Sequence, residues 1–331
     1  MTVAKGEALK YFDAHMHVPG DHREMEAVMI DLGLKGLNIA FAEENGDRWR
    51  SMADFFRGLA HRRPELWAWC TTFPPPDDQS DAAYVSAVVD SLERDFREGA
   101  VACKIWKNIG MRVRRYGRYL AVNDPLFDPV WDVIEDAGRP AVLHIADPIE
   151  SWMPLCDGAP HADYYRSHPE WHMYGRTGVP THAALIADRD RLLERRDGIA
   201  FVGAHLASLE HDMAAVSERL RRYPNFWVDT SARLINLMAG DRDEIRGLFT
   251  QHPDRILYGS DLGYTTPMSL MSVEERSASI NACRRSLDAH RRFLSHTGEV
   301  AVGNHRTRGL DLPPDIVASV MCRNAVRLYG R

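Results

Sequence analysis

A (β/α)8 barrel of the TIM type is the fold this sequence predicts, carrying a long loop after its fifth strand and an additional C-terminal helix. Three observations predict it. Eight apolar runs of strand length recur along the 331 residues, separated by amphipathic stretches of helical period. The runs are largely continuous in their apolar character, as strands are when helices cover a parallel sheet. No Gly-x-Gly-x-x-Gly or Walker-type loop follows the early runs, which counts against an open nucleotide-binding sheet.

Strands are expected at 11–18 (YFDAHMHV), 35–42, 66–73 and 100–106, then at 140–147, 199–207, 226–232 and 255–262. Helices are expected at 80–97, 126–138, 181–196 and 208–223. Ser80 and Thr181 stand where helix caps belong, and Asp124-Pro125 pairs a cap with a helix-starting proline. The connection from Asp147 to Val179 is long, and loops of that length are either functional lids or disordered. Its many aromatic residues argue against disorder. Pro313-Pro314 opens a final amphipathic helix, "LPPDIVASVMCRNAVRLYG". One barrel domain spanning 1–331 accounts for the length.

Composition excludes several classes. The formal net charge is −6 with both signs dispersed, so no nucleic-acid footprint is present. Five cysteines, scattered and without CxxC spacing, point to reduced thiols and away from a disulfide framework or a cysteine zinc knuckle. The first strand starts near Tyr11, which leaves no room for a signal peptide, and no apolar run reaches membrane length. The expectation is a cytoplasmic enzyme with a small-molecule substrate, no membrane partner, and copies associating as a homo-oligomer.

The chemistry is concentrated where strands end. His15 and His17 are two residues apart on the first strand, so their imidazoles share a face. Lys104 lies near the end of the fourth run, His144 of the fifth, His205 of the sixth and Asp261 of the eighth. In a barrel the C-terminal strand ends meet at one mouth, where active sites are built. Taken singly, His144 reads as a satisfied structural residue, Lys104 as a snorkelling or paired lysine, and Asp261 as a cap. Together they would be costly to bury unless paired or coordinated, and a divalent metal resolves that cost. Neutral imidazoles and carboxylates suit zinc and related ions.

These stretches resemble a known group. "DAHMH", "VLHIAD", "VGAHLAS" and "LYGSDLG", with the closing "RNAVRLYG", are similar to the metal-dependent amidohydrolase superfamily, over about residues 11–330. The likeness is to the amidohydrolase-related branch that includes aminocarboxymuconate-semialdehyde-type decarboxylases. The resemblance implies His15, His17, His144 and Asp261 as metal ligands. It implies a catalytic role for His205 with one metal, or a ligand role with two. "ACKIWK" resembles the segment of two-metal members whose lysine is carboxylated and bridges the ions, which makes Lys104 a candidate ligand. One tight zinc ion is expected, or two if Lys104 carries that carboxylate.

Metal-activated water attacking an amide, lactone or ester is the expected reaction, with Asp261 accepting the proton and His205 steadying the oxyanion. Non-oxidative decarboxylation is the alternative on the same site. Trp106 and Lys107 after the fourth strand, Arg233 after the seventh and Tyr264 after the eighth are expected to contact a carboxylate-bearing substrate. His172, in the long loop, is expected either there or against a neighbouring subunit.

Overall fold

The structure is a computed structural model that describes residues 9–43, 48–77, 80–158, 161–264 and 266–330. Every predicted strand is present, and every one is shorter than the apolar run that announced it. They are β1 Tyr11–His17, β2 Leu34–Ile39, β3 Trp67–Thr72 and β4 Ala102–Ile105, then β5 Ala141–Leu143, β6 Phe201–Gly203, β7 Phe226–Asp229 and β8 Ile256–Leu257. A two-residue strand, β9 Leu262–Gly263, follows. The shortening has one cause at three places. His144 is the residue after β5, His205 lies two residues past β6, and Asp261 lies past β8 with φ 59°. The backbone leaves the ladder where the chemistry-bearing side chains begin.

The predicted helices form with their caps. Asp81–Arg97 is capped by Ser80, whose hydroxyl accepts from the Ala83 amide, and His182–Arg195 is capped likewise by Thr181. Asp124 caps a short 3-10 turn, Pro125–Phe127, that leads into Asp128–Asp136. The helix expected from 208 begins only at Met213, because Asp212 caps it there. Sequence reading missed Arg48–Arg62, Arg242–Gln251 and the long Val273–Ser295, which opens on a Ser272–Glu275 capping box. The long connection is ordered by its own pieces, a 3-10 turn Ile149–Trp152, a helix Ala162–Ser167 and a turn Pro169–Trp171. The Ser151 hydroxyl donates to the Trp171 carbonyl at 2.6 Å and ties that loop across itself.

The chain divides into two compact units, one of Met1–Ala40, Ser51–Cys70 and Asp229–Arg331, the other of Phe41–Arg50 and Thr71–Val228. In the first, neighbouring strands run β3, β2, β1, β9, all parallel, with Met16 opposite Leu262 and His17 opposite Gly263. Its core holds Phe12, Met16, Leu37, Ile39, Trp67 and Trp69, each at most 2% exposed. Burial of each such side chain contributes about 1.5–3 kcal/mol. The C-terminal segment is helical from Pro314 to Tyr329, with a π-turn at Ser319–Arg323. The Asn324 amide donates to the Pro253 and Ile256 carbonyls and fastens that helix below β8. In the second unit β4, β5, β6 and β7 are parallel neighbours, with Lys104 opposite Val142 and Gly203 opposite Val228. Among the described residues no helix is long and apolar enough to cross a membrane.

Candidate metal centre

β1 is not a regular strand. Asp13 pairs with Gly36 and Met16 with Asn38, so three steps on β1 face two on β2, which is a β-bulge. Asp13 fixes it, because its Oδ1 accepts the His15 amide at 3.1 Å and the Ser260 amide at 3.0 Å. The His15 ring, within the bulge, and the His17 ring, just past it, lie 5.3 Å apart at 70°. The Asp261 amide donates to the His15 carbonyl at 2.8 Å, and its positive φ turns the carboxylate back toward the two rings. Oδ1 of Asp261 then lies 3.5 Å from His15 Nε2 and 3.4 Å from His17 Nε2. Gly259 allows this approach, since a Cβ there would sit 2.9 Å from the His15 Cβ and 3.0 Å from that of Ser231.

The other ring nitrogens reveal the proton positions. His17 Nδ1 is 2.6 Å from the Ile39 carbonyl, and His15 Nδ1 is 2.8 Å from Asp229 Oδ2. A carbonyl and a carboxylate accept hydrogen bonds, so Nδ1 carries the proton of each ring in its neutral form, in which Nε2 presents a lone pair. Both Nε2 contacts to Asp261 exceed the 2.7–3.2 Å of an N–H···O bond. Three acceptor atoms therefore converge, all within 4.8 Å of one another. Such a group repels itself unless a cation lies among its members. A tetrahedral zinc site with bonds of about 2.0–2.1 Å has edges of about 3.4 Å. The spacing and the donor set of two imidazoles and a carboxylate fit a divalent ion. His15 is 1% exposed, while His17 and Asp261 are 18% and 28% exposed, so the open side of the cluster is theirs.

Burial dominates the electrostatics beneath the cluster. It pushes the Asp13 carboxyl up to about 7, against hydrogen bonds from Ser260 and His15 that pull it down. On the helix Val273–Ser295, burial lowers the His290 imidazole to about 4.

The second unit holds its own polar group. The His144 and His205 rings meet edge to face at 4.4 Å, and His144 Nε2 is 3.5 Å from Asp147. Asp147 takes the Lys107 ammonium at 2.7 and 2.8 Å, and that ammonium also donates to the Tyr164 hydroxyl and lies over Trp171. His205, Leu206, Ala207 and Ser208 all have positive φ, 55–60°, which makes a left-handed turn of four non-glycine residues. Conformations this costly persist where surrounding structure enforces them, and they gather at functional sites. Glu150, His161 and Glu210 form a further group with ligand atoms within 4.8 Å.

The structure thus brings His15, His17 and Asp261 together in one unit and His144 with His205 in the other. Lys104 is in β4 and 1% exposed. Lys107, expected to meet substrate, is 4% exposed with its ammonium engaged by Asp147. Trp106 packs edge-on against Trp171 at 5.1 Å. His172 is half-buried with Nε2 on the Met153 carbonyl, Tyr264 donates to the Ser279 carbonyl, and Arg233 is buried and donates to the Ala232 carbonyl. Sequence reading missed Asp229, Ser231 and Asp147. Asp229 lies within an apolar run, "FWVDTS", and a carboxylate in such a run is the signal that was available.

A family model described as "Amidohydrolase" matches residues 13–331. No curated protein sequence matches. Among solved structures, 5-carboxyvanillate decarboxylase LigW from Sphingomonas paucimobilis is 16% identical, with 98% of this chain and 99% of that one covered and a TM-score of 0.54. A 2,6-dihydroxybenzoate decarboxylase complexed with 2,6-dihydroxybenzoate is 15% identical over 99% and 100%, with a TM-score of 0.57. A dihydroxybenzoic acid decarboxylase from Polaromonas sp. JS666, with bound manganese and 2-nitroresorcinol, is 15% identical over 99% and 97%, with a TM-score of 0.52. These likenesses show the fold, a TIM-barrel-like α/β arrangement, as predicted.

Proposed function

The chain belongs to the amidohydrolase family, and from that premise we propose a divalent-metal-dependent enzyme that non-oxidatively decarboxylates a small aromatic or enolic acid. The observation that carries the metal is the convergence of the His15 and His17 Nε2 lone pairs with Asp261 Oδ1. We assign His15, His17 and Asp261 as ligands and zinc as the ion, one per chain. When bound, a divalent ion polarises substrate oxygens and lowers the pKa of coordinated water.

The residues divide the work by exposure. His15, deeply buried and held by Asp229, anchors. His17 and Asp261, on the open side, face the space a substrate would enter. Asp261, a carboxylate beside the imidazoles on the open side of the cluster, is the group able to hold or pass a proton. In a decarboxylation that proton goes to the ring or enol carbon from which CO2 departs, so the electron pair of the broken C–C bond becomes a C–H bond. Support for this reaction over the hydrolysis the sequence favoured comes from the several full-length structural likenesses to decarboxylases, beside one to a 4-oxalomesaconate hydratase. Hydrolysis stays as the second reading because an accessible carboxylate beside a metal is also what deprotonates an attacking water.

The deciding experiment offers zinc- or manganese-reconstituted protein a panel of hydroxybenzoates and vanillate-type acids beside lactones and amides. Release of CO2 with a product 44 mass units lighter is expected, 44 being about the mass of CO2 lost with one proton gained at carbon. Ring opening of a lactone, with no CO2 from any acid, refutes decarboxylation and leaves hydrolysis.

A further inference from the structure

The geometry points to Asp229 as a positioning residue: it fixes the tautomer of His15 and so keeps the metal-facing nitrogen stripped of its proton. The inference rests on the proposed metal centre and goes past it, to a residue that touches neither metal nor substrate.

Asp229 is fully buried at the end of β7. Its two oxygens have separate tasks. Oδ2 accepts from His15 Nδ1 at 2.8 Å. Oδ1 accepts from the Ser231 amide at 3.1 Å and from the Ser231 hydroxyl. With its proton given to Asp229, the Ser231 hydroxyl turns its own oxygen to His15 Nδ1 at 3.1 Å as a second acceptor. Two acceptors thus surround Nδ1, and none of these groups can donate to it. The neutral imidazole must carry its proton there, and Nε2 must face Asp261 as a lone pair. A ligating histidine is commonly oriented this way by an outer carboxylate, whose loss costs about 10–100-fold in metal affinity. Gly259 keeps this corner open, since a Cβ there would meet the Cβ atoms of His15 and Ser231 at 2.9 and 3.0 Å.

The two-task arrangement makes an unusual prediction about Asp229→Asn. The donors of Ser231 demand an oxygen at Oδ1, so the carboxamide must present its NH2 to His15. That nitrogen needs an acceptor at Nδ1, which drives the proton to Nε2, the metal-facing atom. Asp229→Asn should therefore bind metal at least as poorly as Asp229→Ala, although it is the closer mimic in shape.

The test has two readouts. Long-range 1H–15N correlation spectra of the metal-free, histidine-labelled protein should show His15 as the Nδ1–H tautomer in the wild type and as Nε2–H in Asp229→Asn. Competition against a chromophoric chelator should show zinc bound about 10–100-fold more weakly in both Asp229 variants. The double replacement His15→Ala/His17→Ala checks the premise separately, because zinc bound there as in the wild type would refute the metal centre itself. If that variant loses zinc while Asp229→Asn keeps wild-type affinity, the metal centre stands and the positioning role falls. Should the Asp229 variants not fold, the wild-type spectrum alone decides, and an Nε2–H or doubly protonated His15 overturns the inference.

Discussion

Asp13→Asn should stabilise the metal-free protein above neutral pH, and by an amount the structure bounds. Asp13 is 1% exposed, and burial raises its carboxyl from 3.8 to about 7. A carboxyl raised in the folded state binds its proton more tightly there than in the unfolded chain. Its contribution is complete below about pH 4 and is lost as pH rises to about 7. The difference between 3.8 and about 7, at 1.36 kcal/mol per unit, gives about 4 kcal/mol lost across that window. Asparagine keeps the oxygen that accepts the His15 and Ser260 amides and has no charge to bury. His290 acts in the opposite direction. Its imidazole, lowered from 6.5 to about 4, costs the fold stability as pH falls through that range, by about 3 kcal/mol. The two limbs oppose each other in the wild type between about pH 4 and 6.5, so its raw profile does not isolate Asp13. The difference between variant and wild type isolates Asp13. Urea unfolding in chelator from pH 4.5 to 8 should show that difference moving in favour of Asp13→Asn as pH rises, then levelling above about 7. A difference independent of pH would mean that Asp13 ionises at its ordinary value and that its burial carries no such penalty.

Three further outcomes are expected. Asp261→Asn should lower kcat by at least about 100-fold with a small change in KM, as removal of a group that acts in the transition state does; steady-state kinetics on the true substrate check it, and a kcat within a few-fold of wild type refutes the assigned proton transfer. Gly259→Ala should cost about 1–3 kcal/mol in stability and weaken zinc binding, because the new methyl meets the Cβ atoms of His15 and Ser231 at 2.9 and 3.0 Å and something must shift; thermal unfolding and chelator competition measure both. Lys104 should appear as an ordinary lysine with about one zinc per chain, so that bicarbonate leaves reconstitution unchanged; two equivalents of metal, or a mass increase of about 44 at that residue, would show the carboxylated bridge instead.

The sequence made the candidate site residues legible and hid their support. His15, His17, His144, His205 and Asp261 were visible because each is an ionisable side chain closing an apolar run, an arrangement costly enough to need a reason. Asp229 obeys the same rule and was passed over, since its run already read as an unremarkable strand. Its significance depends on a contact with a residue 214 positions away, and no periodicity encodes that distance. The left-handed turn from His205 to Ser208 was illegible for another reason. Glycine is the residue that announces positive φ, and "HLAS" contains none. Lys107 was read as a substrate contact because a cation beside a barrel mouth suits a carboxylate. Asp147, the carboxylate that engages it in the fold, stands 40 residues on.

The first strand shows how a correct expectation can rest on an incomplete cause. Strict alternation predicts that residues 15 and 17 share a face, and they do. Yet β1 is bulged between Asp13 and Met16, and alternation counted from Tyr11 fails at that point. The two histidines stay together because the irregularity begins before His15 and Asp13 holds it through the amides of His15 and Ser260. Asp13 thereby links β1 to the segment that ends at Asp261, two of whose neighbours, Gly259 and Ser260, shape the same corner. The buried carboxyl, destabilising to the fold above neutral pH, is what sets the two imidazoles and the aspartate facing one another. The stability given up at Asp13 and the strain held at Asp261 serve one geometry, Asp261 Oδ1 at 3.4 and 3.5 Å from the two Nε2 atoms, with all three atoms within 4.8 Å of one another.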